Sequence, residues 1–314
     1  MSDKVINQMP VKTWNWLKMN EVHIDIPDDM CDVAPMVIHG DEEDGLREMP
    51  FVFKNGSSTG GKVDISVDEG KNQIILMDFK TENGDSGDGF AAVDVNITLE
   101  KSSELTLVQV HRLSDKFVMT NTIRADIGER ADFHLIQVFL RGAKTYADVE
   151  AKLSKRKSAL HIDTGYLTTD DRLLDINYNA LHSGAKSTSD INVSGVMCDR
   201  SKKNFRGTID FRLGADQAKG NEIENVLVMD PDVVNKTIPI ILCEEEDVEG
   251  NHGATIGRLN NDMVYYMRSR GLDDETIREM MKVAPIDAVL RRIPDRAGEF
   301  RDRIRNEEGL TDEQ

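Results

Sequence analysis

The chain has 314 residues, and its 57 acidic against 39 basic side chains give a formal net charge of −18 and a pI near 4.8. This charge argues against a nucleic-acid-binding protein, because contacts to phosphates require a basic surface. A mean hydropathy of −0.44, no apolar run of about 18 residues and no signal peptide at the start argue against a membrane or secreted protein.

Residues 1–50 are predicted to form an acidic N-terminal arm. The first 100 residues hold 20 acidic and only 8 basic side chains, so most of the net charge lies there. A short helix is expected around residues 11–18, where Trp14 and Trp16 would dock the arm, with a binding platform as the alternative. The acidic, proline-punctuated stretch that follows, residues 24–50, predicts turns and short pieces.

Residues 51–256 are predicted to form a core of β-strands. Apolar and polar residues alternate with period two in short runs such as 92–99 and 133–140, which is typical of strands with one buried face. Gly, Asn, Asp and Ser separate these runs, and almost no amphipathic helix lies between them. The pattern therefore excludes a doubly wound α/β fold.

A repeat runs through this core. Small-residue turns place Ala131, Ala159, Ala185 and Ala215 ahead of new strands, at steps of 28, 26 and 30 residues. Self-similarity of this length indicates a β-solenoid, in which each coil lays its aliphatic residues over the previous one. An ordinary β-sandwich remains the alternative.

After residue 256 the pattern changes to helices, in a C-terminal unit of residues 257–314. Asn261 or Asp262 is expected to cap a first helix that Gly271 ends, and Asp273 or Asp274 to cap a second. Pro285 is expected to break or restart that second helix. These helices cannot form a core alone, so they must cover the β unit or meet a partner. Their apolar stripe contains Ile286, Val289, Leu290, Ile293, Phe300 and Ile304.

Cys243 and His252 flank the densest group of chemically active side chains, an acidic run at the end of the β region. Thiolate, carboxylate and imidazole together form an iron- or zinc-type ligand set. Strand alternation would place Cys243, Glu245 and Asp247 on one face and Glu244 and Glu246 on the other. The alternative is a solvated acidic turn. Cys31, Cys198 and Cys243 are far apart and odd in number, which argues against a disulfide framework and favours a cytoplasmic protein.

Three motifs of common enzymes are absent from the sequence: the GxxxxGK[ST] phosphate loop, HExxH and CxxC. If the protein uses the energy of a nucleotide, a second protein must bind that nucleotide.

Several strings resemble the SufB/SufD family of iron–sulfur cluster assembly scaffolds. They are NHGATIG at residues 251–257, SRGL at 269–272, HSGAKSTS at 182–189 and FRGTI at 205–209. The resemblance as a whole covers roughly residues 100–310. Tyr265 and Tyr266, between the first two strings, also fit the pattern.

The resemblance implies a right-handed parallel β-helix with helical ends. It implies that the C-terminal helices dock an ABC-type ATPase of the SufC kind, and that two scaffold chains pair through their β-helices. The nascent iron–sulfur cluster, or iron, would be bound transiently at that interface, while ATP hydrolysis occurs in the partner, so the scaffold itself is not expected to be an enzyme.

Particular residues follow from the resemblance. His252 matches the family's functional histidine, whereas Glu224 stands where B-type members carry a cysteine. The chain therefore resembles a compact, SufD-like or ancestral scaffold that forms a homodimer or pairs with a SufB-like chain. The candidate metal ligands are His252, Cys243, Glu244, Glu245, Glu246, Asp247 and Glu224.

Two other classes of protein remain as alternatives. A structural adaptor could hold the ATPase without touching metal. A β-helix enzyme acting on polysaccharide is also compatible with the fold, although a strongly acidic protein is a poor partner for an anionic polymer.

Overall fold

The computed structural model describes residues 2–13, 17–32, 34–82 and 87–310. The described part contains nineteen strands and three α-helices. Trp14 and Trp16, and with them most of the short helix expected at residues 11–18, lie outside the described residues.

Strands β1 (Ser2–Ile6) and β2 (Val22–Ile26) pair with each other in antiparallel fashion. All pairings among the other described strands are parallel. These strands are β3 (Cys31–Asp32), β4 (Met36–Gly40), β5 (Asp44–Phe53), β6 (Ser57–Val67), β7 (Asn72–Thr81), β8 (Asp88–Leu99), β9 (Glu104–Arg112), β10 (Lys116–Ile127), β11 (Asp132–Arg141), β12 (Lys144–Leu153), β13 (Ala159–Thr168), β14 (Leu173–His182), β15 (Thr188–Met197), β16 (Lys202–Phe211), β17 (Ala218–Val228), β18 (Val234–Cys243) and β19 (Val248–Arg258).

Consecutive strands alternate between two parallel sheets. Even-numbered strands from β18 down to β6 form one sheet, the even sheet, in which β6 also pairs with β3 and β4. Odd-numbered strands from β19 down to β5 form the other sheet, the odd sheet. Each coil thus adds one strand to each sheet, as a solenoid requires. The predicted mainly β, parallel β-solenoid is confirmed, and the antiparallel sandwich is excluded. The first coil already includes β4 and most of β5, ahead of the boundary expected at residue 51.

The corners of the coils are held together by backbone hydrogen bonds from one coil to the next. The Lys157 amide donates to the Ala185 carbonyl at 3.0 Å, and the Lys186 amide donates to the Asp216 carbonyl at 2.8 Å. Lys157 and Lys186 both adopt a left-handed conformation, with φ of 58° and 60°. This close stacking of tight corners explains why small residues recur there in the sequence.

The interior of the solenoid is filled by rows of side chains that lie in register from coil to coil. One such row on the odd sheet is aliphatic through five successive strands. We call it the aliphatic row, and its members are Ile75, Leu107, Leu135, Ile162 and Ile191, each at most 1% exposed. Burial of such rows supplies most of the stabilisation of the coils.

The N-terminal arm packs on the outer face of the even sheet. Ile24 of β2 lies in an apolar cluster with Phe90 and Tyr146. Further along the sheet, the fully buried guanidinium of Arg206 donates to the Met19 carbonyl at 2.5 Å and pairs with Asp175 at 2.6 Å. The arm therefore reaches almost to the last coil.

Three α-helices follow the solenoid: α1 (Asn261–Ser269), α2 (Asp274–Leu290) and α3 (Gly298–Glu307). The N-cap of α1 is Asn260, one residue earlier than expected, because its side chain accepts from the Asp262 amide. Asp273 caps α2 as predicted, accepting from the Thr276 amide. None of the described helices is long and apolar enough to cross a membrane.

The expectation that Pro285 would break the second helix is wrong, since α2 continues through it to Leu290. Proline costs about 3 kcal/mol within a helix, but packing of the following turn offsets this cost. The predicted apolar stripe covers the outer face of the odd sheet near β7, β9 and β11. It consists of Ile286, Val289, Leu290, Ile293, Phe300 and Ile304, packed against Ile74, Leu76, Val108, Val110, Ile136, Val138 and Leu140.

Candidate functional site

The last coil leaves the solenoid open. Within the described chain, β18 pairs only with β16 and β19 pairs only with β17, so each has an unpaired edge. Prolines in described strands occur only in end strands, Pro50 in β5 and Pro239 in β18. Proline removes a hydrogen-bond donor and so limits further pairing. β19 contains no proline, and its edge is free to pair with another strand.

His252 lies on β19 at the open end, directly beside Glu222 of β17 in the register of the sheet. On β17 the residues Ala218, Gly220, Glu222, Glu224 and Val226 alternate with exposed or half-buried ones and face the interior. The register places His252 on this same interior face. Its side chain is exposed because no further coil covers it.

Glu224, a predicted ligand candidate, is committed to an ion pair in the interior. It pairs with Lys203, and both side chains are at most 1% exposed. The Thr237 hydroxyl donates to the other Glu224 oxygen at 2.7 Å, and the Lys203 ammonium donates to Thr237 at 3.0 Å. Burial lowers the pKa of Lys203. A metal could bind Glu224 only by breaking this cluster.

Glu222 differs from Glu224 in having an unused oxygen. Its side chain is buried, and Oε2 has no hydrogen-bond partner. Burial, and then the nearby charge of Glu224, raise the pKa of Glu222 to about 8. A cation that binds Glu222 would therefore displace the proton of its carboxyl group. Glu222 is not among the ligands predicted from the sequence, although its spacing of two from Glu224 places both on one face of a strand.

The acidic run forms the last corner of the solenoid. β18 ends at Cys243 and β19 begins at Val248, so strand alternation does not extend across residues 244–247. The expected division of these residues between two faces is therefore wrong. The Gln217 amide donates to the Asp247 carbonyl at 2.7 Å, which continues the corner stack.

Two side chains of this corner form hydrogen bonds with backbone groups of the corners. The half-buried Glu245 carboxylate accepts from the Gly214 amide at 3.0 Å, and the exposed Cys243 thiol donates to the Glu245 carbonyl at 3.0 Å. The remaining acidic side chains, Glu244, Glu246 and Asp247, are exposed. Across residues 2–13, 17–32, 34–82 and 87–310, no group of three or more His, Cys, Asp or Glu side chains could hold a metal ion. A full ligand set at this end would need donors from another chain.

Other candidate residues lie elsewhere. Cys31 is exposed near the first coil, at the opposite end of the solenoid. Cys198 is buried, and burial raises the pKa of its thiol to about 11. His182 is buried and bonded to Ser187 and Ser189, each at 2.8 Å, as a structural histidine is expected to be.

The solenoid and the start of the helical unit match a known protein family. Residues 52–284 match the family model described as SUF system FeS cluster assembly, SufBD core domain. That match extends from β5 through the solenoid and into α2.

Individual relatives are similar at low identity. The iron–sulfur cluster assembly protein SufD of Bacillus subtilis is 29% identical over 114 residues, 36% of this chain and 26% of that protein. SufD of Escherichia coli is 25% identical over 142 residues, 45% of this chain and 34% of that protein. Protein ABCI7, chloroplastic, of Arabidopsis thaliana is 21% identical over 250 residues, 78% of this chain and 51% of that protein.

The matched segments thus span between about a quarter and a half of the length of these relatives. The family model, in contrast, covers more than half of this chain and all of its later coils. The resemblance noted in the sequence is confirmed by that match. The chain belongs to the SufB/SufD family of iron–sulfur cluster assembly proteins.

Proposed function

We propose that this protein is a scaffold on which iron and sulfide are assembled into a cluster at the open end of the solenoid. The observation that carries the proposal is the position of His252, exposed on the interior face of the last strand beside a buried carboxyl group without a partner. Imidazole and carboxylate are both donors that iron accepts. Iron and sulfide are here the cargo of the protein.

A second scaffold chain completes the site in this proposal. One chain lacks a full ligand set among its described residues, whereas a twofold pair through β18 and β19 would bring every donor together twice. The unblocked edge of β19 and exposed apolar side chains such as Ile256 support pairing at this end. We propose a homodimer, with a pair formed by this chain and a SufB-like chain as the alternative.

The C-terminal unit, residues 257–314, is proposed to dock an ABC-type ATPase of the SufC kind. Tyr265 and Tyr266 of α1 are 76% and 57% exposed, and Met263 of α1 and Met280 of α2 are exposed as well. Aromatic and methionine side chains are typical of the buried centre of an interface. This apolar surface lies on the part of the helical unit that the solenoid does not cover.

Helix α2 links this docking surface to the cluster site. Its later turns pack on the odd sheet through Val289, while Arg278 forms an ion pair with Asp230, which closely follows β17. β17 carries Glu222 and lies next to β19. Movement of α2 when the ATPase binds ATP would therefore shift the last two strands of the odd sheet and alter access to His252.

Anaerobic reconstitution with ferrous iron and sulfide tests this function. The wild-type chain, alone or with the ABC-type ATPase encoded in the same genome, is expected to develop the visible absorption of an iron–sulfur cluster. The variant His252→Ala should lose this absorption, whereas His182→Ala serves as a histidine control away from the site. Absence of iron uptake by the wild type under both conditions would contradict the proposal and favour the adaptor.

A further inference from the structure

The aliphatic row of the odd sheet changes its chemistry in the last two coils. Through β7, β9, β11, β13 and β15 the row is aliphatic, and Ile191 of β15 is followed in register by Glu222 and then by His252. An interior position filled by Leu or Ile in five strands can clearly accept an aliphatic residue. A buried carboxyl at the mouth of the row, that of Glu222, therefore indicates a function other than packing.

Glu222 has a carboxyl oxygen available for a ligand. Its side chain is 2% exposed, and Oε2 has no hydrogen-bond partner, whereas the oxygens of Glu224 are bonded to Lys203 and Thr237. Leaving a buried polar atom without a partner is costly. The unpartnered oxygen belongs to Glu222, the residue that lies in register with His252 on the adjacent strand.

The register of the strands brings Glu222 and His252 to adjacent positions on the interior face. Neighbouring strands lie about 4.8 Å apart, and residues in register on one face extend in the same direction. Imidazole nitrogen and carboxylate oxygen are a common donor pair for ferrous iron. In a twofold pair of chains these two residues would supply four donors without a cysteine.

We infer that Glu222 is an iron ligand that acts together with His252 at the open end of the solenoid. The inference rests on the proposed scaffold function and deepens it, because it names the second donor from each chain. In this assignment Glu224 is not the metal ligand that the sequence predicts, but stabilises the interior through its ion pair with Lys203. The acidic corner at residues 244–247 is then outside the ligand set.

Equilibrium dialysis of the full-length chain against ferrous iron, without oxygen, tests this assignment. Glu222→Gln and Glu222→Leu are each expected to weaken iron binding at least about ten-fold. Glu249→Gln is the matched control, because Glu249 lies on β19 with His252 but faces outward and pairs with Lys219. The control should bind iron within about two-fold of the wild type. X-ray absorption of the iron-loaded wild type should show both nitrogen and oxygen donors.

The outcomes separate the two proposals. If the wild type takes up no iron, the scaffold function fails. If iron binding depends on His252 but not on Glu222, the scaffold stands and the assignment of Glu222 is wrong. Glu222→Leu also guards against misfolding as an explanation, since it extends the aliphatic row and should unfold at a higher temperature than the wild type. A folded Glu222→Leu variant with unchanged iron affinity would overturn the inference.

Discussion

Lys203 and Glu224 form an ion pair sealed inside the solenoid, one coil below the open end. Lys203 comes from the even sheet and Glu224 from the odd sheet, so the pair joins the two sheets across the interior. Both side chains are at most 1% exposed. Glu224, predicted from the sequence to be a metal ligand, is thus engaged in the interior of the solenoid.

Removing one partner of this pair should destabilise the fold strongly. Lys203→Met or Glu224→Leu leaves the other group buried without its partner, which typically costs about 3–5 kcal/mol. The double variant Lys203→Met/Glu224→Leu removes both charges and should regain most of that loss. Denaturant unfolding of the four proteins measures the coupling, and additive losses in the double variant would show that the pair is not an energetic unit.

His111 should make the fold sensitive to acid. Its ring is fully buried between Phe79 and Phe139, with centroids at 4.8 and 4.5 Å, and neither nitrogen has a hydrogen-bond partner. Burial lowers the pKa of His111 to about 3 from the ordinary 6.5. The stability that this neutral ring contributes is complete above pH 6.5 and is lost as the pH falls towards 3.

The variant His111→Phe removes that sensitivity and continues the aromatic stack. It should raise the free energy of unfolding at pH 7 by about 1–3 kcal/mol, because two unpartnered nitrogens disappear. Between pH 6.5 and 4.5 the variant should lose up to about 1.4 kcal/mol per pH unit less than the wild type. Urea unfolding at both pH values measures this. His182, whose pKa burial lowers to about 4, remains in both proteins. Equal slopes would show that His111 does not titrate as described.

Gly195 is required by the ring of Tyr166, which occupies the space where a Cβ atom would lie. Gly195→Ala should therefore destabilise the protein by about 1–3 kcal/mol through overpacking. Gly253 offers a matched control on the odd sheet, because nothing lies within 4 Å of the corresponding Cβ position. Thermal unfolding should show a lower midpoint for Gly195→Ala and little change for Gly253→Ala. Similar midpoints for the two variants would contradict the described packing.

The three thiols should differ in their reactivity. Cys31 and Cys243 are exposed, whereas Cys198 is buried with a pKa of about 11. Iodoacetamide should label the first two under native conditions and Cys198 only after unfolding. If two chains pair through the open end, Cys243 should become protected as the protein concentration rises while Cys31 does not. Peptide mass spectrometry after timed labelling measures each rate, and parallel changes at both sites would argue against pairing at this end.

Much of the fold follows from local sequence. Period-two alternation predicts the strands, small residues at regular steps predict the corners, and Asp273 predicts the start of α2. The candidate site is harder to predict from sequence. Lys203 and Glu224 are 21 residues apart, and their contact can be predicted only when the register of the coils is known. The row that leads from Ile191 to Glu222 and His252 likewise spans whole coils. Sequence alone does not fix that register, so it does not reveal which carboxyl group lies beside His252.

Pairing at the open end should depend on Ile256. This residue lies on β19, is 57% exposed and follows Val226 in register as the last member of an interior row. A charge there would have to be buried in the proposed pair, at a cost of several kcal/mol. Ile256→Asp should therefore shift the chain to monomers in sedimentation velocity, with its unfolding temperature in the monomeric state unchanged.

Val37 provides the control for that change. It is 59% exposed on β4, at the opposite end of the solenoid, so Val37→Asp adds the same charge to an equally exposed aliphatic position. This variant should keep the oligomeric state of the wild type. Dissociation by both variants would show that added charge acts nonspecifically, and dissociation by Val37→Asp alone would place the contact between chains at the first coil. Loss of pairing only in Ile256→Asp, together with loss of iron binding, would tie the metal site to the contact between the last strands.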